Sequence, residues 1–435
     1  MKLKLVIPKF PSMETGGVLD YTKGYAYQHK FSKFPILGAP MVAALTPKDI
    51  EISIANEEVD PIDFEEKVDL VGITSLTTQA PRAYEISDIF RRKGVKTVMG
   101  GMHASALPQE ALKHTDAVCI GEAEDIWRII LRDFRKGELK GFYKSDKLCS
   151  MKNLAFPRVE LLNPKAFDSL SAIQTTRGCP YQCKFCAVTE FFGGKFRVRP
   201  VEDVVKEVKH HLDAEYSHSS NALGRHIMFN DDNITGIPAY AKTLFKALIP
   251  FDIRWASQCT LTIAKDDELL NLAQKSGCRI LFLGIESLSE ENLSYINKRC
   301  NRVNDYKEAI KKIHDHNIMI IGSFILGLDY DDEGVFEKIL NFITKNKIER
   351  VALGILTPFP GTKLYKEMEK ENRIIDRDWS KYDIMNVVYR PKLMSPEKLQ
   401  EGFHQSWLEL GRLARKDYKN SAKKRMKKAH HIFHY

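Results

Sequence analysis

The sequence predicts an α/β protein with two parallel-sheet units in series: a doubly wound, Rossmann-like domain, then a partial (β/α)6 barrel and a small helical region. Strand-like and helix-like patterns alternate in two successive blocks, and a stretch without sustained periodicity separates them. The chain has 435 residues, of which 43% are hydrophobic and 28% charged. This composition is ordinary for a globular protein and excludes a disordered chain, a fibre or a small disulfide scaffold.

The first block predicts an open parallel sheet covered by helices on both faces. Short apolar runs at residues 3–7, 50–55, 68–74, 95–99 and 117–120 alternate with helical patterns. Ligands of such sheets bind beyond the carboxyl ends of the strands. The candidate cofactor contacts are therefore the small or polar residues that follow these strands, although the glycines could equally serve tight turns: Ser75, Thr77, Gly100, Gly101, Gly121 and Glu122.

The second block predicts a barrel-like sheet, closed or partial. Strand-like runs at residues 172–176, 226–229, 253–258, 280–285, 319–326 and 351–356 alternate with helical patterns. In such sheets the chemistry lies on the loops that follow the strands. The predicted domains are residues 1–140, a linker at 141–168, the barrel at 169–375, and a helical region with a basic tail at 376–435.

Three of the eight cysteines are clustered directly after the first strand of the second block. Cys179, Cys183 and Cys186 have the spacing C-x3-C-x2-C. Three thiolates on one loop can hold three irons of a [4Fe-4S] cluster and leave the fourth iron open. A structural zinc site needs four protein ligands. A zinc site would need Cys259 or a histidine as its fourth ligand, and this alternative stays open.

The cysteine segment resembles the radical S-adenosylmethionine (radical SAM) enzymes, whose signature has this spacing and an aromatic residue before the last cysteine. Phe185 fills that aromatic place. Further segments resemble the family's later strand motifs, in order. The resemblance implies S-adenosylmethionine contacts at the ends of strands two to five of the barrel: Asp231, Asp232, Gln258, Glu286, Ser287, Gly322 and Gly327.

The first block resembles the domain of the cobalamin-binding subgroup of this family. The runs that begin at Gly100 and Gly121 follow the subgroup's pattern, and Ser75-Leu-Thr77 looks like part of a cobalamin-domain motif. The motif Asp-x-His-x-x-Gly is absent, and His29 stands in Tyr-Gln-His-Lys. The resemblance therefore implies cobalamin binding without a histidine ligand to cobalt, and it equally permits a domain that has lost cobalamin.

Together these resemblances imply an enzyme, a cobalamin-dependent radical SAM methyltransferase that attacks an unactivated carbon through a 5′-deoxyadenosyl radical. The implied cofactors are a [4Fe-4S] cluster, S-adenosylmethionine and cobalamin, and no side chain is assigned as a catalytic acid or base. The alternatives are radical cyclisation, coupling or rearrangement with a vestigial first domain, and a non-catalytic zinc or iron–sulfur protein. The expected partners are a small-molecule or lipid-like substrate and a reductant such as ferredoxin or flavodoxin.

The positive charge is concentrated at the end of the chain. The formal net charge is +9, and the segment from Arg412 onward contains nine basic residues and one acid. A nearly neutral remainder argues against a broad nucleic-acid footprint. The tail is interpreted as a solvated helix end or as a contact with anionic lipid. No secretory signal or membrane-length apolar run is evident, so a cytoplasmic protein is expected, with peripheral membrane contact as an alternative.

Overall fold

The computed structural model describes residues 1–11, 34–216 and 225–420. It confirms the predicted α/β fold with two parallel sheets in succession. His29 and the basic run that begins at Lys423 lie outside the described residues, so the expectations attached to them stay predictions.

Sheet 1 is formed by the first block. Its six strands pair in parallel in the order β2-β1-β3-β4-β5-β6. The strands are β1 (Lys2–Ile7), β2 (Glu51–Asn56), β3 (Leu70–Thr74), β4 (Lys96–Gly100), β5 (Ala117–Ile120) and β6 (Phe142–Lys144). The helices are α1 (Gly38–Leu45), α2 (Ala80–Arg92), α3 (Met102–Ala106), α4 (Pro108–His114) and α5 (Trp127–Lys136). Helices α1 and α5 pack on one face, and α2, α3 and α4 pack on the other.

Sheet 2 is formed by the second block and is an open barrel. Its six strands pair in parallel in the order β14-β13-β12-β11-β10-β7, so β14 and β7 are its edges. A separate antiparallel pair, β8 (Thr176–Arg177) and β9 (Arg197–Val198), lies near its mouth. The sheet strands are β7 (Ala172–Ile173), β10 (His226–Phe229), β11 (Arg254–Cys259), β12 (Cys278–Glu286), β13 (Met319–Leu326) and β14 (Arg350–Ile355).

Helices cover the outer face of sheet 2 and shield one large apolar core. Several begin at a side chain that accepts a hydrogen bond from a free backbone N–H, as Asp266, Ser289 and Thr362 do. The helices are α6 (Ala187–Phe191), α7 (Val201–Asp213), α8 (Pro238–Leu248), α9 (Asp267–Lys275), α10 (Glu290–Tyr295), α11 (Tyr306–Asp315), α12 (Val335–Asn346), α13 (Lys363–Lys370) and α14 (Pro396–Asn420).

Short 3-10 turns connect several of these elements. They are Thr77–Gln79, Val159–Leu161, Pro164–Ala166, Ile249–Phe251, Leu261–Lys265, Val303–Asp305 and Trp379–Lys381. A smaller apolar cluster fills the inner face of sheet 2, around Ala256, Ile280 and Ile321. The inner face is therefore closed by apolar side chains in the middle of the strands, and polar groups are found toward their carboxyl ends.

Three sequence expectations differ from the structure. The predicted strand at 172–176 is divided into β7 and β8, because Thr175 and Thr176 turn to donate to a buried aspartate. Sheet 1 continues past residue 140 to β6, a short strand with little periodicity. The region from 376 is helical only from Pro396; before it, turns pack around the buried Tyr382 and Tyr389. The domain limits at 140, 168 and 375 stay a prediction.

Candidate functional site

The carboxyl edges of the two sheets meet each other. Helix α3 follows β4 at the edge of sheet 1 and packs against α6, which follows the cysteine loop. A Cβ added at Gly361, after β14, would lie 3.2 Å from the Cβ of Ala106. The indole nitrogen of Trp379 donates to Glu110 at 2.8 Å. Groups bound at the two edges would therefore be close to each other.

The cysteine loop spans residues 178–196, and the strands β8 and β9 pair at its two ends. Gly178 has a φ of +81°, and a Cβ there would lie 2.3 Å from the carbonyl oxygen of Lys195. Glycine is required at this position because its backbone is left-handed and the returning chain is so close. The loop is thus closed at its base, and its three cysteines are half-buried.

The three thiols fit a cluster better than a single zinc ion. Around one zinc, Zn–S bonds of about 2.3 Å place sulfur atoms about 3.8 Å apart. The sulfurs of Cys179, Cys183 and Cys186 do not all lie within 4.8 Å of one another. This wider separation suits irons that each carry their own thiolate. The amide of Asn233 also donates to the sulfur of Cys179 at 3.9 Å, a contact that can tune a cluster.

Asp231 supports the base of the cysteine loop. Its carboxylate accepts from the backbone N–H and the hydroxyl of both Thr175 and Thr176, at 2.5–2.9 Å. Burial raises the pKa of Asp231 to about 6, although these hydrogen bonds act to lower it. The side chain is fully engaged within the protein, so the structure gives it a supporting place beneath the loop. Its predicted contact with S-adenosylmethionine stays a prediction.

Asp232, the next residue, contacts the cysteine loop directly. Its carboxylate accepts from the N–H of Gly178 at 3.2 Å. Burial, followed by the charge of Asp231, raises the pKa of Asp232 to about 7. Of the two adjacent aspartates, Asp232 retains more free acceptor capacity beside the cysteines, and it is the better candidate to receive the amino group of a bound ligand.

Glu286 forms a buried ion pair that the sequence did not indicate. Its carboxylate contacts the ammonium group of Lys298 at 2.9 Å, and Ser323 donates to it at 3.4 Å. A Cβ at Gly284 would lie 2.3 Å from this carboxylate and 2.7 Å from the Lys298 nitrogen. The charges of Glu286 and Cys183 raise the pKa of Lys298 although burial opposes the shift. Lys298 is therefore a cation beside both the cluster loop and the fourth strand end.

The other predicted contacts in the barrel have varied environments. Gln258 is exposed at the mouth, whereas Phe185 packs against the outer core. Ser287 is buried in the turn after β12, where its hydroxyl accepts from the N–H of Ser289 at 3.2 Å. A Cβ at Gly322 would meet Phe324 at 3.1 Å, on the helix-covered face. Their roles toward a cofactor stay predictions.

Gly327 is covered by the C-terminal region. The hydroxyl of Tyr389 donates to its carbonyl, and a Cβ there would lie 2.4 Å from Leu399 and from that hydroxyl. Its φ of +83° is also left-handed. These contacts give the glycine a packing requirement that is independent of any adenine contact.

The carboxyl edge of sheet 1 is compatible with a bound corrinoid. The hydroxyl of Ser75 is buried and has no hydrogen-bond partner within the described part of the chain. Gly101 has a φ of +95°, and a Cβ there would lie 2.8 Å from the carbonyl oxygen of Ser75. Gly100 precedes it at the end of β4, and Thr77 begins the adjacent 3-10 turn. The absence of a side chain at Gly101 lets the Ser75 backbone pack against it, and the unused hydroxyl of Ser75 is the group at this edge that is free to bind a polar ligand.

Glu122 points toward the barrel and not into that cradle. It accepts from Arg177 at 2.6 Å and from both terminal nitrogens of Arg197 at 2.9 Å. Burial would raise the pKa of Glu122, but the two arginines outweigh it and lower the pKa. Glu122, Glu124 and Cys149 offer ligand atoms within 4.8 Å of one another. The arginines already neutralise both carboxylates, which disfavours a cation there.

Comparisons with known proteins identify the family. Residues 173–343 match the family model described as the radical SAM superfamily, and residues 32–131 match the B12 binding domain. The chain is 34% identical over 392 residues to the bacteriochlorophyllide d C-12(1)-methyltransferase of Chlorobaculum tepidum, covering 88% of this chain and 82% of that protein. It is 29% identical to the C-8(2)-methyltransferase of the same organism, covering 85% and 84%.

Solved structures share the fold. TsrM from Kitasatospora setae, a radical S-adenosylmethionine methyltransferase with cobalamin and a [4Fe-4S] cluster bound, has a TM-score of 0.67 at 14% identity, covering 94% of this chain and 88% of that one. The cobalamin-dependent radical enzyme OxsB has a TM-score of 0.67 at 15% identity, covering 94% and 67%.

The chain belongs to the radical SAM superfamily, in the group with an N-terminal B12-binding domain. It is an enzyme of the cobalamin-dependent methyltransferase type, and its cofactors are a [4Fe-4S] cluster, S-adenosylmethionine and cobalamin. A small-molecule substrate and a reductant accord with this class. Within the described ranges, every helix is too short or too polar to cross a bilayer. Membrane contact through the tail stays a prediction.

Proposed function

We propose that this enzyme transfers a methyl group to an unactivated carbon of a tetrapyrrole. The two relatives with the highest identity given above both carry a methyltransferase name with a bacteriochlorophyllide substrate. The alignments extend over most of both chains, which supports a similar acceptor for this chain.

The meeting of the two carboxyl edges is the structural observation that carries the methyl-transfer part of the proposal. When bound, the cluster and S-adenosylmethionine supply a hydrogen-abstracting radical, and cobalamin supplies the methyl group. A substrate carbon must reach both without leaving the site. The contacts of Ala106 with Gly361 and of Glu110 with Trp379 hold the two edges next to each other.

The chain's own residues bind, orient and shield. Cys179, Cys183 and Cys186 would hold three irons, and Lys298 supplies positive charge next to them. Ser75 offers an unused hydroxyl to the corrinoid, and Gly101 allows the close backbone packing that positions it. The 3-10 turn Trp379–Lys381 packs on the turn Thr77–Gln79 and covers this edge from the C-terminal side. We further propose ferredoxin or flavodoxin as the reductant.

The test is an anaerobic incubation of the fully loaded enzyme with reductant, methyl-labelled S-adenosylmethionine and bacteriochlorophyllide d. We expect a labelled, methylated pigment, together with 5′-deoxyadenosine and S-adenosylhomocysteine, by mass spectrometry. Cys183→Ala should abolish all three products, and Cys278→Ala, which removes a buried thiol in β12, should retain them. Absence of methylated pigment from active, loaded enzyme would overturn the tetrapyrrole assignment.

Radical cyclisation is the second candidate because the chain is also 23% identical to the anaerobic magnesium-protoporphyrin IX monomethyl ester cyclase of Cereibacter sphaeroides. That relative is matched over 77% of this chain and 58% of its own length. Formation of 5′-deoxyadenosine without S-adenosylhomocysteine in the same incubation would favour this alternative.

A further inference from the structure

We propose that Glu122 is a positioning residue that fixes the iron–sulfur loop from the B12-binding domain, and so couples cobalamin binding to the state of the cluster. It accepts hydrogen bonds from Arg177 and Arg197, and these arginines are the residues immediately before and immediately after the loop 178–196. One carboxylate on the first domain therefore holds both ends of the loop that carries the cluster.

The contact is buried and geometrically specific. The exposed fractions of the side chains are 6% for Glu122, 6% for Arg177 and 16% for Arg197. Arg197 contacts both carboxylate oxygens, which is the paired geometry that a guanidinium provides and an ammonium does not. Glu124 binds the remaining terminal nitrogen of Arg177, so the arginine is held from two sides.

The backbone of Cys149 contacts both Glu122 and Arg197. Its backbone N–H donates to Glu122 at 3.1 Å, and its carbonyl accepts from Arg197 at 2.8 Å. Two arginines balance two glutamates, which leaves little net charge in a region where an unpaired charge would be costly. The arrangement is therefore stable as a unit and sensitive to the loss of any one member.

A continuous chain of hydrogen bonds links this unit to the cobalamin edge. The hydroxyl of Ser105 donates to the carbonyl of Gly101 at 2.7 Å and accepts from the N–H of Gly121 at 2.9 Å. Gly121 is directly followed by Glu122. A corrinoid that orders Gly101 would thereby restrict Gly121 and Glu122, and a bound cluster that orders the loop would do the same through the arginines.

Such coupling is reciprocal because binding free energies are linked. Cobalamin should bind the cluster-loaded chain more tightly than the cluster-free chain, by at least about fivefold. This inference rests on the two cofactors of the family and not on the methyl acceptor, so failure of the tetrapyrrole assay leaves it untouched.

The experiment measures hydroxocobalamin affinity by absorbance titration of the full chain, with and without a reconstituted cluster. In Glu122→Gln the ratio of the two affinities should fall to near one, and hydrogen exchange in residues 178–196 should accelerate. A general loss of stability would weaken both affinities and leave their ratio unchanged. Glu57→Gln is the matched control, because Glu57 forms a similar paired contact with Arg82 away from the loop.

An unchanged ratio and unchanged exchange in Glu122→Gln would overturn the proposal, as would a wild-type ratio near one. If Glu122→Gln gives no folded protein by circular dichroism, Arg197→Lys replaces it, since it keeps the charge and loses the paired geometry. A reduced ratio in Arg197→Lys supports the proposal, and a wild-type ratio there overturns it.

Discussion

The Glu286–Lys298 pair predicts a large and non-additive response to substitution. The two side chains are 8% and 10% exposed, and their charged atoms are 2.9 Å apart. Removing one partner of a buried pair leaves the other charge without compensation and costs about 3–5 kcal/mol. In a domain of 150–250 residues each kcal/mol lowers the melting temperature by about 2–4 °C. Lys298→Met should therefore lower it by about 6–20 °C.

The double variant Lys298→Met/Glu286→Gln removes both charges. Its decrease in melting temperature should be much smaller than the sum of the decreases in the two single variants. We would measure the four melting temperatures by calorimetry on cluster-free protein. The control is Lys265→Met, because the Lys265–Asp305 pair in the same barrel is exposed at 57% and 41%. A solvent-exposed pair should contribute about 1 kcal/mol or less. Additive losses in the cycle would refute the buried-pair reasoning.

The same variants should shift the reduction potential of the cluster in opposite directions. Cys183 feels the charges of both Lys298 and Glu286, so the pair lies within electrostatic reach of the loop. Lys298→Met leaves an unbalanced anion and should make the cluster harder to reduce. Glu286→Gln leaves an unbalanced cation and should make it easier. A redox titration followed by electron paramagnetic resonance measures this, and shifts of the same sign would contradict it.

Three further outcomes are expected. Gly101→Ala strains a left-handed position by about 1–3 kcal/mol, enough to weaken cobalamin binding about tenfold, while iron content is unchanged; retained affinity would contradict this. Gly327→Ala collides with Tyr389 and should lower the melting temperature, whereas Gly137→Ala, with open space around its Cβ, should do so less. Burial lowers the pKa of His211 from 6.5 to about 3. Between these two values the histidine binds a proton in the unfolded chain and not in the folded one, so stability falls as the pH decreases. His211→Phe should flatten the decline in melting temperature between about pH 6 and pH 4, and an unchanged slope would refute this.

Most of the architecture could be predicted because it depends on local patterns. The strands β5, β10 and β13 coincide with the predicted runs, since alternation and length are properties of consecutive residues. The short strands β6 and β8 could not be predicted, because each contains only a few residues and is defined by its partner strand. The predicted C-terminal helix is present but begins only at Pro396, because the residues before it form turns around buried tyrosines.

The sequence by itself indicated the family and the cluster, because the cysteine loop and the later strand motifs that carry the resemblance are short patterns of consecutive residues. Only the tertiary structure decided what the nearby charges do. Glu122 pairs with Arg177, which is 55 residues away, and Asp231 supports Thr176 at the same separation. Lys298 pairs with Glu286 because the fold places the turn after α10 next to the end of β12. A charge pair needs a distance of a few ångströms and exclusion of water, and both are established when distant segments fold together.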